Sequence, residues 1–417
     1  MSTTPAPGSQ PDPDRLHRAL SKRMPRRAML GGLGAGSLVA LSACTTGSSK
    51  PAPDEAASSS KKAAPEATVT SSVADGAAEV NPAQPLTVTA SDGTLESVTV
   101  TDSAGTPIDG VLDEAKTTWT AGVPLAYASA YTVAAVANNT DGKTTNYQSA
   151  FTTVTPTAQI FPGIGPLDGT TVGIAMPVRV YLDSAVADRK AFEQAMTVTS
   201  TPAQTGAWSW FSDTEVHWRP QTYWQAGTTV KVDINIFGVA AGNGAYGKEN
   251  RSISFTVGKA QVSKCNTNEH YYYCYEGDQQ VNSFPISAGL EEEGRYTKSG
   301  IHVVIDKKEK MTMDSTTYGL ALDAGGYQTE VEWATRISNN GEFVHAAPWS
   351  LADQGVRNVS HGCINASPEN AKWFQQWAQI GDPVEITGTP VPLTAADGDI
   401  FDWTLSWDEW VAGSANK

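Results

Sequence analysis

Ser360-His361-Gly362-Cys363-Ile364-Asn365 is the densest cluster of chemically capable side chains in the sequence. A cysteine becomes a strong nucleophile once it is a thiolate, but a thiol with a pKa of about 8.5 is mostly protonated at neutral pH. It therefore needs a base, and a neighbouring imidazole can take its proton and hold the resulting charge. His345 lies eighteen positions upstream, in Glu342-Phe343-Val344-His345, which reads as a strand ending at a loop. That separation lets a loop return beside its start, and the pair is expected to rest as a thiolate–imidazolium ion pair. His361 is the alternative base. Neighbours on an extended segment point to opposite sides, which favours His345 over His361. A carbonyl attacked by the thiolate would develop negative charge that N–H groups of the Gly362-Cys363 turn can stabilise. The imidazolium could then protonate a leaving amine and later deprotonate an incoming one, so one side chain would serve both halves of a transfer.

The other cysteines follow from the start of the chain. Residues 1–43 carry six Lys/Arg against two Asp/Glu and end in an uncharged stretch from Ala28 to Ala43, too short to span a bilayer comfortably. This reads as an export signal. Arg26-Arg27 fit a twin-arginine route, and a general secretory route is equally compatible. Leu41-Ser42-Ala43-Cys44 resembles the cleavage site of bacterial lipoproteins, which makes Cys44 a lipidation site and the membrane a partner through that lipid. Export also permits disulfides. Cys265 and Cys274 flank the turn-forming Asn266-Thr267-Asn268 and the returning Tyr271-Tyr272-Tyr273, so a disulfide across a hairpin is expected. Cys363 is left as an unpaired thiol.

With 417 residues the chain exceeds one ordinary core, and short alternating runs separated by Gly and Pro predict a mainly β protein of several domains. Residues 1–43 read as the signal peptide and 44–67, rich in Ser, Ala, Pro, Lys and Glu, as a flexible linker. Residues 68–157 and 158–258 read as two β-sandwiches, with Trp208, Trp210 and Trp218 as packing residues and His217 as structural. Residues 259–388 form a β-rich catalytic domain with a few helices. One of these should start at Ser367-Pro368 and run to about Ile380. Residues 389–417 form a short Trp-rich C-terminal subdomain, in which Trp403, Trp407 and Trp410 are spaced as one buried helical stripe.

At the Cys motif and its upstream His, the sequence resembles the L,D-transpeptidases with a YkuD-type catalytic domain, whose signature is a His followed by Ser/Thr-His-Gly-Cys-x-Asn. Tyr296-Thr297-Lys298-Ser299-Gly300 is similar to the family's Thr-Pro-x-Gly segment, with Lys298 and Ser299 departing from its proline pattern. Met313-Asp314-Ser315-Thr316-Thr317-Tyr318-Gly319, Gly326-Tyr327, Glu332-Trp333-Ala334-Thr335 and Trp407-Asp408-Glu409-Trp410 resemble the actinobacterial branch, which also carries two immunoglobulin-like domains. The resemblance implies a cell-envelope lipoprotein on the extracytoplasmic face of the plasma membrane, cross-linking peptidoglycan stem peptides through an acyl-enzyme and open to carbapenem inhibitors. It implies Cys363 as nucleophile, His345 as base and acid, the Ala346 carbonyl as the group orienting the imidazole, and Gly362 with Cys363 as oxyanion donors. Tyr318, Tyr327, Met313 and Trp349 would line the cleft, while Ser360, His361 and Asn365 would shape the turn or bind substrate.

Other readings fit less well. Papain-like enzymes place Cys before His, and a wall-binding adhesin built from sandwiches leaves Cys363 and His345 without a purpose. The six His show no metal-binding spacing, so neither metal nor cofactor is implied. A net charge of −15 argues against nucleic acid.

Overall fold

The computed structural model describes residues 62–416 except Leu320, Gly325 and Asp399, and only the backbone of Tyr318 and Ala324. The signal-like segment and Cys44 lie outside the described residues. Among the described residues no helix is long and apolar enough to cross a membrane.

The chain first forms a sandwich of two antiparallel sheets. One holds Thr68–Ser71, Thr87–Ser91, Thr118–Ala121 and Gly110–Leu112, and the other Thr94–Asp102, Ala130–Asn138 and Thr144–Thr152. Ala130–Asn138 buries every second residue, as a half-buried strand should. Its Tyr131 stacks on Phe151 at 5.5 Å within a core that includes Leu86, Val100 and Trp119. A second sandwich follows, with Thr229–Asn235 and Asn250–Val257 facing Val178–Leu182 and Glu215–Pro220. Trp208, Trp210 and Trp218 are all buried in its core, and Trp218 stacks on Trp224 at 5.3 Å. The Tyr127 hydroxyl bridges the two sandwiches, donating to the Gly247 carbonyl at 2.7 Å and accepting the Gly238 N–H at 2.9 Å.

Two sheets form the third part. A five-stranded sheet runs in the order Gln279–Pro285, Tyr271–Glu276, Gln261–Asn266, Pro383–Thr387, Gly300–Val303. A four-stranded sheet has the order Asp306–Asp314, Gln328–Arg336, Phe343–Ala346, Ile364–Ala366. The helix Pro368–Trp377 buries Ala371 and Phe374 in a core shared with Tyr272, Phe284, Val344 and Ile364. Ser367 caps it by accepting the Asn370 N–H, and Pro368 sits in the first turn, where a missing N–H costs nothing. The helix ends short of Ile380 because Ala378 already has extended backbone.

The Cys265–Cys274 disulfide expectation is overturned, since both residues are buried free thiols. The register explains this: Cys265 lies opposite Tyr272, and Cys274 lies opposite Ser263. The sulfurs are therefore diagonal, where neighbours stand about 7–8 Å apart, beyond the Cα separations of up to about 6.8 Å that a disulfide usually bridges.

The C-terminal segment packs on the second sandwich, but not as a single helical stripe. Trp403 belongs to a separate short turn at Asp402–Thr404, and the helix Trp407–Ala412 starts afresh at the Ser406–Glu409 capping box. Their tryptophans converge on Arg219, which lies 4.5 Å from the ring centre of Trp403, 5.6 Å from that of Trp407 and 4.6 Å from that of Trp410. Trp410 is fully buried and donates its indole N–H to the Ala207 carbonyl at 2.8 Å. Beside it, the fully buried His217 sits between carboxylates, with Nδ1 3.0 Å from Asp402 and Nε2 3.0 Å from Glu215.

Burial alone would lower the His217 pKa, but the Asp402 and Glu215 carboxylates outweigh it and the net direction is upward. A histidine with a raised folded pKa contributes stability that is complete below its unfolded value of about 6.5 and is lost as pH rises through the folded value. The thermal stability gap between the wild type and His217→Gln should therefore be largest below about pH 6.5 and shrink as pH rises. A gap that stays constant through this range would contradict the assignment.

Candidate active site

Phe343–Ala346 is buried along its whole length and pairs in parallel with Ile364–Ala366, placing Val344 opposite Ile364 and His345 opposite Asn365. Side chains level with each other on paired strands share a face, so His345 and Asn365 point the same way. Cys363 immediately precedes the Ile364–Ala366 strand, at the end of a tight turn. The intervening chain turns through Pro348–Ser350 and returns, which accounts for the eighteen-residue spacing.

The turn before Cys363 is held by its own side chains. Ser360 Oγ donates to the Cys363 carbonyl at 2.6 Å and accepts the Gly362 N–H at 3.1 Å. Gly362 has φ +119°, a left-handed conformation in which a side chain would be strained. Thr297 Oγ donates to the Gly362 carbonyl at 2.7 Å, and the Cys363 thiol donates to the Gly341 carbonyl at 3.4 Å. The Gly362 N–H is thus engaged by Ser360 in this state.

His345 Nδ1 lies 2.9 Å from the Ala346 carbonyl. A carbonyl can only accept, so Nδ1 carries the proton and Nε2 is left as the basic nitrogen. Both reactive groups lie out of water. Burial pulls the His345 pKa down to about 4, only partly offset by the Ala346 contact. Burial pushes the Cys363 thiol up to about 12, against a hydrogen bond from the Phe343 N–H, and the Glu342 carboxyl pushes the same way as burial. Burial, acting on each group in turn, thus favours a neutral thiol and a neutral imidazole over the expected ion pair.

Cys363 and His345 open onto one cavity of about 250 Å³, walled by Met313, Tyr327, Thr329 and Val331 from the hairpin and by Trp349, Ser360, His361 and Asn365 from the opposite side. The predicted Met313, Tyr327, Trp349, Ser360, His361 and Asn365 are thus brought together. His361 turns toward Tyr327, with ring centres 4.9 Å apart, while Trp349 is 57 % exposed at the rim. Asn365 donates to Ser350 Oγ at 3.2 Å, fixing the loop beside His345. Tyr318 ends the short turn Ser315–Tyr318 next to the hairpin, and its side chain lies outside the described residues. Sequence reasoning did not single out Gly341, Thr329, Val331 or Thr297 as site residues, although it had marked the segment around Thr297. Among the described residues no group of three His, Cys, Asp or Glu is placed to hold a metal ion.

A thiol, an imidazole with a fixed tautomer and a tight turn at the mouth of an apolar-walled cleft define a cysteine acyl-transfer site. A family model for the L,D-transpeptidase catalytic domain matches residues 260–386, and one for a bacterial Ig domain matches residues 77–240, a span that crosses both sandwiches. L,D-transpeptidase 5 of Mycobacterium tuberculosis is 43% identical over 296 residues, covering 70% of this chain and 64% of that protein. L,D-transpeptidase 2 of the same species is 38% identical over 292 residues, covering 70% of this chain and 71% of the relative. A solved structure of the L,D-transpeptidase LdtMt1 in complex with imipenem shares 31% identity, covering 56% of this chain and all of that one with a TM-score of 0.48. The chain spans about two thirds of the length of these relatives and belongs to the L,D-transpeptidase family.

The neutral resting pair has a direct signature. Ultraviolet thiolate absorbance, taken as the difference between the wild type and Cys363→Ala, should be absent from about pH 5 to pH 9, since the imidazole stays uncharged above about 4 and the thiol stays protonated below about 12. A thiolate band with a midpoint below neutrality would restore the ion pair.

Proposed function

We propose that Cys363 attacks the carbonyl of the third residue of a peptidoglycan tetrapeptide stem, forms a thioester and releases the terminal D-Ala, after which the amine of a second stem resolves the thioester to cross-link third residues. The observation that carries this reading is that Cys363 and His345 open onto a single cleft. As the thiol attacks, its proton passes to His345 Nε2, and the imidazolium so formed is stabilised through Nδ1–H by the Ala346 carbonyl. The same proton goes to the departing amine, and His345 is again free to accept one from the incoming amine. The Cys363 N–H, with the Gly362 N–H after it exchanges Ser360 for substrate, would meet the developing oxyanion. Met313, Tyr327 and Trp349 would flank the stem and exclude water, and Tyr318 would join them from the hairpin tip. Ser360, His361 and Asn365 would hold the turn and the loop against the peptide.

The wider setting belongs to the same proposal. The sequence around Cys44 supports a lipid-anchored form in the cell envelope after removal of residues 1–43, and the stretch that follows supplies a spacer that ends before residue 67, since Asn139 holds the Pro65 carbonyl and Ala67 is buried in the first sandwich. The two sandwiches, 68–157 and 158–258, are read as separate immunoglobulin-like modules that hold the catalytic domain, 259–388, away from the membrane, with 389–417 as a strap. The match of the catalytic domain to the family supports carbapenems as acylating inhibitors of Cys363.

Mass spectrometry of the described chain with tetrapeptide, pentapeptide or a carbapenem tests the reading. A covalent adduct is expected on Cys363, and Cys363→Ala should abolish it. His345→Ala should keep the fold and slow acylation by at least ~100-fold. An adduct on a serine, or preference for the pentapeptide, would overturn it.

A further inference from the structure

Behind the Cys363 turn, two buried side chains face each other with unmet hydrogen-bonding capacity. His302 is fully buried on Gly300–Val303, and its Nε2 lies 2.9 Å from the Lys298 carbonyl. That carbonyl can only accept, so Nε2 carries the proton and Nδ1 of the neutral ring is an acceptor. Nδ1 has no hydrogen-bond partner, and 3.6 Å from it stands Glu342 Oε2, which also has none. The other carboxyl oxygen, Oε1, accepts the Lys298 N–H at 2.9 Å. With no proton between them, His302 and Glu342 would present lone pair to lone pair in a site shut off from water, an arrangement that buried polar groups avoid. The other charged and titratable groups around Glu342 are Lys298, whose ammonium is paired with Asp397, Tyr296 and His361 on the same pocket wall, and Cys363, and the Ser338 hydroxyl also bears on its carboxyl.

We propose that His302 and Glu342 hold one shared proton as a neutral pair, with the protonated Glu342 carboxyl donating to His302 Nδ1, and that this pair positions the Cys363 turn for reaction. Both supports of that turn hang from residues adjoining the Glu342 carboxyl. On one side Glu342 fixes the Lys298 N–H, and the preceding Thr297 holds the Gly362 carbonyl while accepting the Gly289 N–H at 2.8 Å. On the other side the carbonyl of Gly341, next to Glu342 in the chain, accepts a hydrogen bond from the Cys363 thiol. Burial favours the uncharged carboxyl, raising its pKa against the opposing pull of His302. An ionised carboxylate in this place would instead raise the thiol further, so the shared proton also keeps Cys363 reactive. Closing the 3.6 Å gap to hydrogen-bond length requires only a small movement of the carboxyl.

This inference rests on Cys363 being the nucleophile, so its test reads the thiol and the imidazole without any wall peptide. Alkylation of Cys363 by iodoacetamide is followed against pH in the wild type, Glu342→Gln and Glu342→Leu, with circular dichroism as the folding control. Gln can accept from Lys298 and donate to His302, and should keep the neutral-pH rate within about threefold, whereas Leu should change it by roughly tenfold or more. The wild-type pH profile should carry an inflection as Glu342 loses its proton, and that of Glu342→Gln should lack it. Ring nitrogen-15 spectra, with the His302 signals identified by their loss in His302→Gln, should show Nδ1 in a hydrogen bond. Identical pH profiles for the wild type and Glu342→Gln, equal impairment of Gln and Leu, or a Nδ1 free of hydrogen bonding would each overturn the proposal, and if Glu342→Leu does not fold the Gln profile decides. Should these contrasts appear while no stem-peptide adduct forms, the cross-linking reading fails and the positioning pair stands.

Discussion

Keeping a thiol and an imidazole out of water is the constraint on which the rest of this structure depends. Exposed to solvent, Cys363 would ionise near its ordinary pKa, and any acyl intermediate would be open to hydrolysis. Enclosed, both groups are driven to their uncharged forms, and the charge separation needed for attack must be created when a carbonyl arrives. The cleft therefore has to fix the imidazole tautomer in advance and supply donors where negative charge will develop. The Ala346 carbonyl does the first through a 2.9 Å contact, and the strained Gly362 turn offers the second.

The scaffold meets that constraint through parallel pairing. Phe343–Ala346 and Ile364–Ala366 lie side by side at the edge of a sheet backed by the Pro368–Trp377 helix, so His345 is fixed by strand geometry and Cys363 by the hydrogen-bonded turn that leads directly into its partner strand. The polar side chains that hold the turn or stand behind it, Thr297, Glu342, His302 and Ser360, are buried. The second sandwich supports this part from the far side. Gly173 approaches Gly381 and Asp382 so closely that a Cβ at Gly173 would stand 2.1 Å from the Asp382 nitrogen. The C-terminal segment locks onto the same sandwich through Arg219 and its three tryptophans, each such contact being worth roughly 0.5–2 kcal/mol.

The legible parts of the sequence were those whose chemistry is local. Ser360-His361-Gly362-Cys363 carries its meaning in residue type alone, and Glu342-Phe343-Val344-His345 looks like a strand ending beside it. The alternating runs that build the sandwiches and the Ser367-Pro368 helix start were equally readable. What escaped depends on register and burial. Cys265 and Cys274 flank a plausible hairpin, but whether they face each other depends on which residue pairs with Tyr272, and a two-residue offset separates them. The Trp403, Trp407 and Trp410 spacing fits a helix, yet Ser406 caps a new one and breaks the stripe. The charge state of Cys363 and His345 could not be read either, because a motif does not reveal how much water its fold admits. Glu342 and His302 lie in strand-like runs with nothing local to mark their pairing.

Solvent isotope effects on a single acylation event test the central claim most directly. Stopped-flow acylation of Cys363 by a carbapenem in H₂O and D₂O separates a proton that moves during attack from one that has already moved. A neutral thiol beside a neutral imidazole predicts slower acylation in D₂O, because the proton passes from Cys363 Sγ to His345 Nε2 in the same step that forms the bond. Acylation equally fast or faster in D₂O would mean that the thiolate was already present, and would contradict the account.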